Sequence, residues 1–172
     1  KPGQMVWPSA LALDREENLY LADDSLHRIT VYDRDGGLVS TWGTRGSGDG
    51  EFDGPSGLLF DRDDNLLVVD HRNHRVQRFT KDGRFLSAWG SFGEGDGQLN
   101  LPWGLAQDGE GNLYVADWRN DRIQKFTSDG TFVAAWGGSG SGDGQFHSAR
   151  GVAVNSSGNL FMADSANHRI QE

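Results

Sequence analysis

Four segments of this chain are copies of one another: Asn18–Ile29 (NLYLADDSLHRI), Asn65–Val76 (NLLVVDHRNHRV), Asn112–Ile123 (NLYVADWRNDRI) and Asn159–Ile170 (NLFMADSANHRI). Each starts 47 residues after the last, without drift. Each reads as an apolar strand, a tight polar corner and the start of a second strand. A fixed period of this size with strand-like content restricts the fold to a solenoid or a propeller, because one repeat cannot bury its apolar face alone.

The rest of the chain keeps step with this segment. Strand A is expected at 10–13, 57–60, 104–107 and 151–154, each opening on Ala or Gly and apolar on both faces, as an inner strand packed on two sides should be. A four-residue polar turn leads to strand B, the apolar half of the copied segment. Strand C begins at Arg28, Arg75, Arg122 and Arg169 and alternates apolar with polar in Arg75–Phe79 and Arg122–Phe126. Asp35-Gly36, Asp82-Gly83 and Asp129-Gly130 are hairpin signals. Strand D ends at Trp42, Trp89 and Trp136, and a Gly-rich linker leads to the next strand A. Four short antiparallel strands per period make one propeller blade. The apolar residue after each linker (Phe52, Leu99, Phe146) is placed to plug the gap between blades, and the tryptophans, recurring in register, belong to the scaffold.

These features resemble the NHL-repeat family. Its pattern stands here as Pro55-Ser56-Gly57, Asp61, Asn65, Asp70 and Asn73-His74-Arg75-Val76, and as Gly151, Gly158-Asn159, Ala163-Asp164 and Asn167-His168-Arg169-Ile170. The departures are local: Ala149 replaces the proline, Leu26 the Asn, and Asp121 the His. The resemblance implies an all-β propeller, usually six-bladed. The chain is expected to form a single propeller domain over residues 1–172, with repeats at 8–54, 55–101 and 102–148 and a partial fourth at 149–172. Lys1–Trp7 reads as the tail of a further repeat. A propeller that does not close leaves bare strand edges. The chain is therefore expected to be a piece of a longer ring, which for six repeats takes about 282 residues. The alternative is that two or more copies associate to complete it.

The net charge of −9 repels phosphate backbones and anionic membrane surfaces. No apolar run approaches the length of a membrane span, and no secretory signal is visible at Lys1. The absence of cysteine excludes disulfides and thiolate metal sites. The Gly-Asp-Gly linkers (Asp49, Asp96, Asp143) lack the alternating oxygen ligands of a calcium loop, and His27, His74 and His168 form no local cluster. No metal or other cofactor is therefore expected. No nucleophile elbow, phosphate-binding loop or zinc-protease motif is present.

Asp23, Asp70, Asp117 and Asp164 recur with Arg28, Arg75, Arg122 and Arg169 across the B–C corner. Recurrence in every repeat marks them as structural: the Asp is placed to accept backbone N–H groups, and the Arg to pair with it or with a neighbouring blade's Asp. The histidines at the corner are expected to hydrogen-bond the turn. Candidate binding residues are found by subtraction, where equivalent positions differ. Before strand A stand Ser9, Ser56, Trp103 and Arg150; after the corner Asp stand Asp24-Ser25, His71-Arg72, Trp118-Arg119 and Ser165-Ala166. The distinctive large groups are Trp103, Trp118, Arg119, Arg150, His71 and Arg72, and alternating strand direction puts all of them on the rim formed by the B–C corners and D–A linkers. Trp7 and Phe92 extend that patch, and Gln107, whose counterparts are apolar, points to a wet channel. The opposite rim carries eight acids (Asp14, Glu16, Glu17, Asp61, Asp63, Asp64, Asp108, Glu110) against Arg15 and Arg62.

Exposed Trp and Arg dominate protein interfaces. The leading expectation is a non-catalytic scaffold or sensor module binding a protein or peptide on the B–C/D–A rim. This fits the interaction role that the resemblance implies. The alternative is a propeller enzyme of the metal-dependent lyase or lactonase type, also implied by the resemblance, with its site in an axial channel; the strand-A starts offer it poor ligands. RNA binding, known for some NHL propellers, ranks third on an acidic chain.

Overall fold

The computed structural model describes residues 3–172; Lys1 and Pro2, with the start of the expected Lys1–Trp7 tail and the position read for a secretory signal, lie outside the described residues. The fold is an all-β propeller of four antiparallel blades. The first blade is β1 (Pro8–Leu13), β2 (Leu19–Asp23), β3 (Arg28–Tyr32) and β4 (Leu38–Trp42). Two short linker strands follow, β5 (Thr44–Arg45) and β6 (Glu51–Phe52). The second blade is β7 (Pro55–Phe60), β8 (Leu66–Asp70), β9 (Arg75–Phe79) and β10 (Phe85–Trp89). The third is β11 (Leu105–Gln107), β12 (Leu113–Asp117), β13 (Arg122–Phe126) and β14 (Phe132–Gly137). The fourth has β15 (Ala149–Val154), β16 (Leu160–Asp164) and β17 (Arg169–Gln171). In each sheet the strands lie in sequence order. The strands fall where the repeat puts them. No helix among the described residues is long and apolar enough to cross a membrane.

The chain divides into two compact units, one ending at Ala88 and the other running from Trp89 to Glu172. In the first, alternate residues of facing strands meet, as a period of two requires. Ala10 and Ala12, Tyr20 and Ala22, and Ile29 and Val31 pack against Leu58, Phe60, Leu66, Val68 and Phe79. Phe52 enters this core with no exposure, its ring 6.1 Å from Trp42 and 5.5 Å from Phe79. In the second unit Phe146 holds the equivalent place among Tyr114, Ile123, Ala149 and Met162. Burying a Phe of this kind contributes about 1.5–3 kcal/mol. Two of the hairpin glycines have a packing role as well as a turn role. Gly83 (φ +85°) lies against the face of Trp42 and Gly130 (φ +90°) against that of Trp89, so a Cβ at either position would strike the indole.

Two features differ from the sequence reading. Strand A is apolar on both faces but not packed on both throughout: in β1, Ala10 and Ala12 face the core while Leu11 and Leu13 are 66 % and 58 % exposed. The linkers are also ordered. β5 pairs in parallel with β6, and Phe92 with Leu99 and Ser139 with Phe146 repeat the arrangement as single bridges. In each linker the side chain of Glu51, Gln98 or Gln145 accepts the N–H of Gly48, Gly95 or Gly142 at 2.9–3.0 Å.

Candidate functional site

The corner between strands B and C is fixed by a buried carboxylate. Asp117, fully buried, accepts the Asn100 N–H on Oδ1 (2.7 Å) and three side-chain donors on Oδ2: Asn120 Nδ2 (2.8 Å), Arg122 Nε (2.7 Å) and Gln124 Nε2 (3.1 Å). Arg122 then reaches the carbonyls of Gly95 and Gln98, and Gln124 holds the Gly97 N–H and the Gln98 carbonyl. One carboxylate thus ties the corner to the preceding linker. Asp70 with Asn73, Arg75 and Gln77, and Asp164 with Asn167, Arg169 and Gln171, repeat the network. At Asp70 burial is the largest influence and lifts the carboxyl above its usual range. At Asp164 burial also pushes upward, but the His147 N–H, Asn167, Arg169 and Gln171 outweigh it and the carboxyl ends below that range.

The first copy departs from this scheme. Asn and Gln are replaced there by Leu26 and Thr30, and Asp23 instead accepts the N–H groups of Val6, Trp7, Ser25 and Leu26. Arg28 donates to the Gln4 carbonyl, and its Nε is buried without a hydrogen-bond partner among the described residues. The pairing expected between Asp and Arg is therefore made in three copies and not in the first. The glutamines were not singled out by sequence, although Gln77, Gln124 and Gln171 recur in register.

In the second unit this corner presents two of the distinctive residues. Asp117 ends β12 and a 3-10 turn, Trp118–Asn120, follows. Asp121 closes the turn in the left-handed region (φ 49°). Asn120 points inward to Asp117 and the Gly93 carbonyl, which leaves Trp118 half-buried and Arg119 exposed. Arg150 sits where β15 shifts register between Ala149 and Gly151. A bulge of this kind re-aims a side chain. Gly104 lets β15 pass close by, since a Cβ there would collide with the Arg150 carbonyl and approach the Val152 nitrogen to 3.2 Å. Asp121 adds a tie: its Oδ1 accepts the Ser148 N–H at 2.8 Å, and its Oδ2 the Ser139 hydroxyl at 2.6 Å. In the first unit His27 Nδ1 accepts the equivalent Gly54 N–H at 3.2 Å, so the Asp that replaces His preserves the contact with a stronger acceptor.

The result is a compact cluster. The Trp103 and Trp118 rings meet edge-to-face, with centroids 5.9 Å apart and planes at 80°. The Arg150 guanidinium lies 4.4 Å from the Trp118 centroid and 5.3 Å from that of Trp103, and Arg119 lies 4.7 Å from Trp118. Four of the six sequence candidates thus form one cluster centred on Trp118.

His71 and Arg72 belong to the first unit and have other partners. His71 is buried, at 5 % exposure, at the start of the turn His71–Asn73. Arg72 is bound to Asp24 (2.9 and 3.2 Å) and lies 3.6 Å from Asp53. The hydrogen bond to Asp24 raises its already high pKa. The sequence reading assigned both residues to the same binding surface as the tryptophans; in the structure one is buried and the other is paired with Asp24 and Asp53. Trp7 also lies in the first unit, and Phe92 sits in a linker bridged to Leu99. Gln107 donates to the Gly111 carbonyl at 3.1 Å, so its polar group satisfies the adjacent turn. Among the described residues no three His, Asp or Glu side chains converge as a metal-binding group would.

The chain matches the model of the NHL repeat at residues 52–79, 99–126 and 146–172. Among curated proteins none matches it by sequence. Solved structures match its fold. Virginiamycin B lyase from Staphylococcus aureus aligns with a TM-score of 0.70 at 14% identity, over 93% of this chain and 50% of that one. A protein of unknown function from Bacteroides thetaiotaomicron aligns with a TM-score of 0.73 at 20% identity, over 94% and 45%. A gluconolactonase from Xanthomonas campestris aligns with a TM-score of 0.64 at 21% identity, over 88% and 54%. The chain spans about half the length of each of these structures, and at such identities the likeness is one of fold.

Proposed function

We propose that this chain, an NHL-repeat β-propeller protein, is a non-catalytic binding module whose partner, a protein or peptide, docks on the Trp103–Trp118 surface. The observation that carries the reading is the edge-to-face Trp pair with the Arg119 and Arg150 guanidinium groups lying over the Trp118 ring. The scaffold repeats in every blade, whereas these four side chains occur in one place. Trp and Arg are the residues that most often dominate binding energy, because each offers a large rigid contact area together with a polar handle. The surface is built on an anchored turn and a bulged strand, so little ordering entropy is lost when a partner binds.

The test is capture from a displayed peptide library by the wild-type chain and by Trp103→Ala/Trp118→Ala. The double variant loses capture by at least about a hundredfold while keeping the β-sheet circular dichroism, in line with hot-spot truncation costs of 2 kcal/mol or more per residue. Undiminished capture by a folded double variant contradicts the reading.

A further inference from the structure

Arg119 and Arg150 are held next to aromatic rings instead of next to acids. Among the described residues of the second unit, ion pairs are made by Arg122 with Asp117, Lys125 with Asp108 and Arg169 with Asp164. Neither Arg119 nor Arg150 takes part in one, in a chain whose net charge is −9. Arg72 of the first unit shows the contrast: it occupies the repeat position of Arg119, and Asp24 and Asp53 neutralise it.

Stacking on Trp fixes a guanidinium in place through its face and leaves its N–H edge available for a planar anion. Both groups lie within 5 Å of the Trp118 centroid, 4.7 Å for Arg119 and 4.4 Å for Arg150. The two positive charges are therefore within roughly one Debye length, about 10 Å at 0.1 M salt, and repel one another. A bound anion relieves that repulsion, and beside a half-buried aromatic pair the attraction is screened less than in open water.

We infer that the Trp103–Trp118–Arg119–Arg150 surface binds a peptide carboxylate, with the two guanidinium groups on the carboxylate and an apolar neighbouring side chain against the indoles. The inference rests on the reading of this surface as the binding face. A carboxylate is favoured over a nucleic-acid backbone because binding a run of phosphates needs a basic stripe, and two arginines on an acidic chain are not one. The carboxylate has two sources, an Asp or Glu side chain or a peptide C-terminus.

The experiment uses the full chain, fluorescently labelled, against bead-borne random octapeptides in two arms, one with free and one with amidated C-termini. Enrichment of Asp and Glu in both arms assigns the ligand to acidic side chains; recovery confined to the free-acid arm assigns it to the terminus; either supports the inference. A recovered peptide then binds Arg119→Gln and Arg150→Gln about tenfold or more weakly, the loss expected for charge-assisted hydrogen bonds. Arg150→Lys recovers part of the affinity, since it keeps the charge and loses the planar stack. Peptides that need Trp103 and Trp118 but show no acidic preference, and that bind Arg150→Gln as well as wild type, overturn the carboxylate and leave the binding face standing. No capture, or capture indifferent to the Trp pair, overturns both. Salt-sensitive binding of a uridine decamer, lost in Arg119→Gln/Arg150→Gln, overturns the carboxylate in favour of RNA.

Discussion

At the scale of single residues, small substitutions between repeats reveal what each position is for. Asp108 accepts the N–H groups of Glu110 and Asn112 at 2.9 Å, the Asn112 side chain at 2.8 Å and the Tyr114 hydroxyl at 3.1 Å. Burial pushes its carboxyl upward, but these donors, Asn112 first, outweigh it and hold the pKa down at about 2. A depressed carboxyl pKa adds stability that is present above the unfolded value and is lost as pH falls through the folded one. Here the window runs from pH 3.8 down to about 2. The fourth repeat places Asn155 at this position, with the same backbone bonds to Ser157 and Asn159. Asp108→Asn is therefore expected to keep the turn and remove about 1–2 kcal/mol of the stability lost between pH 4 and pH 2, discounted for solvent screening. Urea titrations across that range check it. Asp121 is the second case. Asp121→Ala frees the Ser148 N–H and loosens the segment that carries Arg150. It should weaken peptide capture severalfold, and Asp121→His should restore it, because His27 makes the same bond to Gly54. Failure of the His variant to rescue would show that the charge, and not the tie, matters.

Among the elements, the blade scaffold was legible in the sequence because its determinants are local. Strand alternation, Asp-Gly hairpins and Trp in register lie within one period, and β2, β8, β12 and β16 end on the Asp of the copied segment. The interior of the corner was less legible. The Asp117 network joins groups up to 27 residues apart, including the Gln124 bond to Gly97, and only a folded blade brings them together. The joint absence of Asn and Gln at Leu26 and Thr30 was the available signal, since one repeat lost both donors at once. The partner of Arg72, Asp24, lies 48 residues away, beyond any spacing argument. The Trp and Arg positions were found by subtraction, but the contacts between them depend on the Arg150 bulge and on Gly104, whose backbone roles the sequence does not announce. Gly104→Ala, with no space for a Cβ, is expected to destabilise the fold by about 1–3 kcal/mol and to displace Arg150. Asp117→Ala leaves Arg122, Gln124 and Asn120 without their common acceptor and should cost about 3–5 kcal/mol in thermal or chemical unfolding.

For the molecule as a whole, two kinds of position emerge. The repeated positions build the blades and their joints. Four of the unrepeated ones, Trp103, Trp118, Arg119 and Arg150, gather at one surface of the second unit, where an acidic chain keeps two arginines unneutralised. The same division sets what the molecule attracts: a net charge of −9 disfavours long polyanions and permits a single carboxylate at a local positive site. The measurement that tests this division most directly pairs thermal stability with peptide affinity in Trp118→Ala and Asp117→Ala, two neighbours on one corner. The account predicts that Trp118→Ala abolishes affinity with a change in Tm of less than about 5 °C, while Asp117→Ala lowers Tm by about 6–20 °C, at 2–4 °C per kcal/mol for a chain of this size. Retained affinity in Trp118→Ala, or a loss of Tm as large as that of Asp117→Ala, would contradict it.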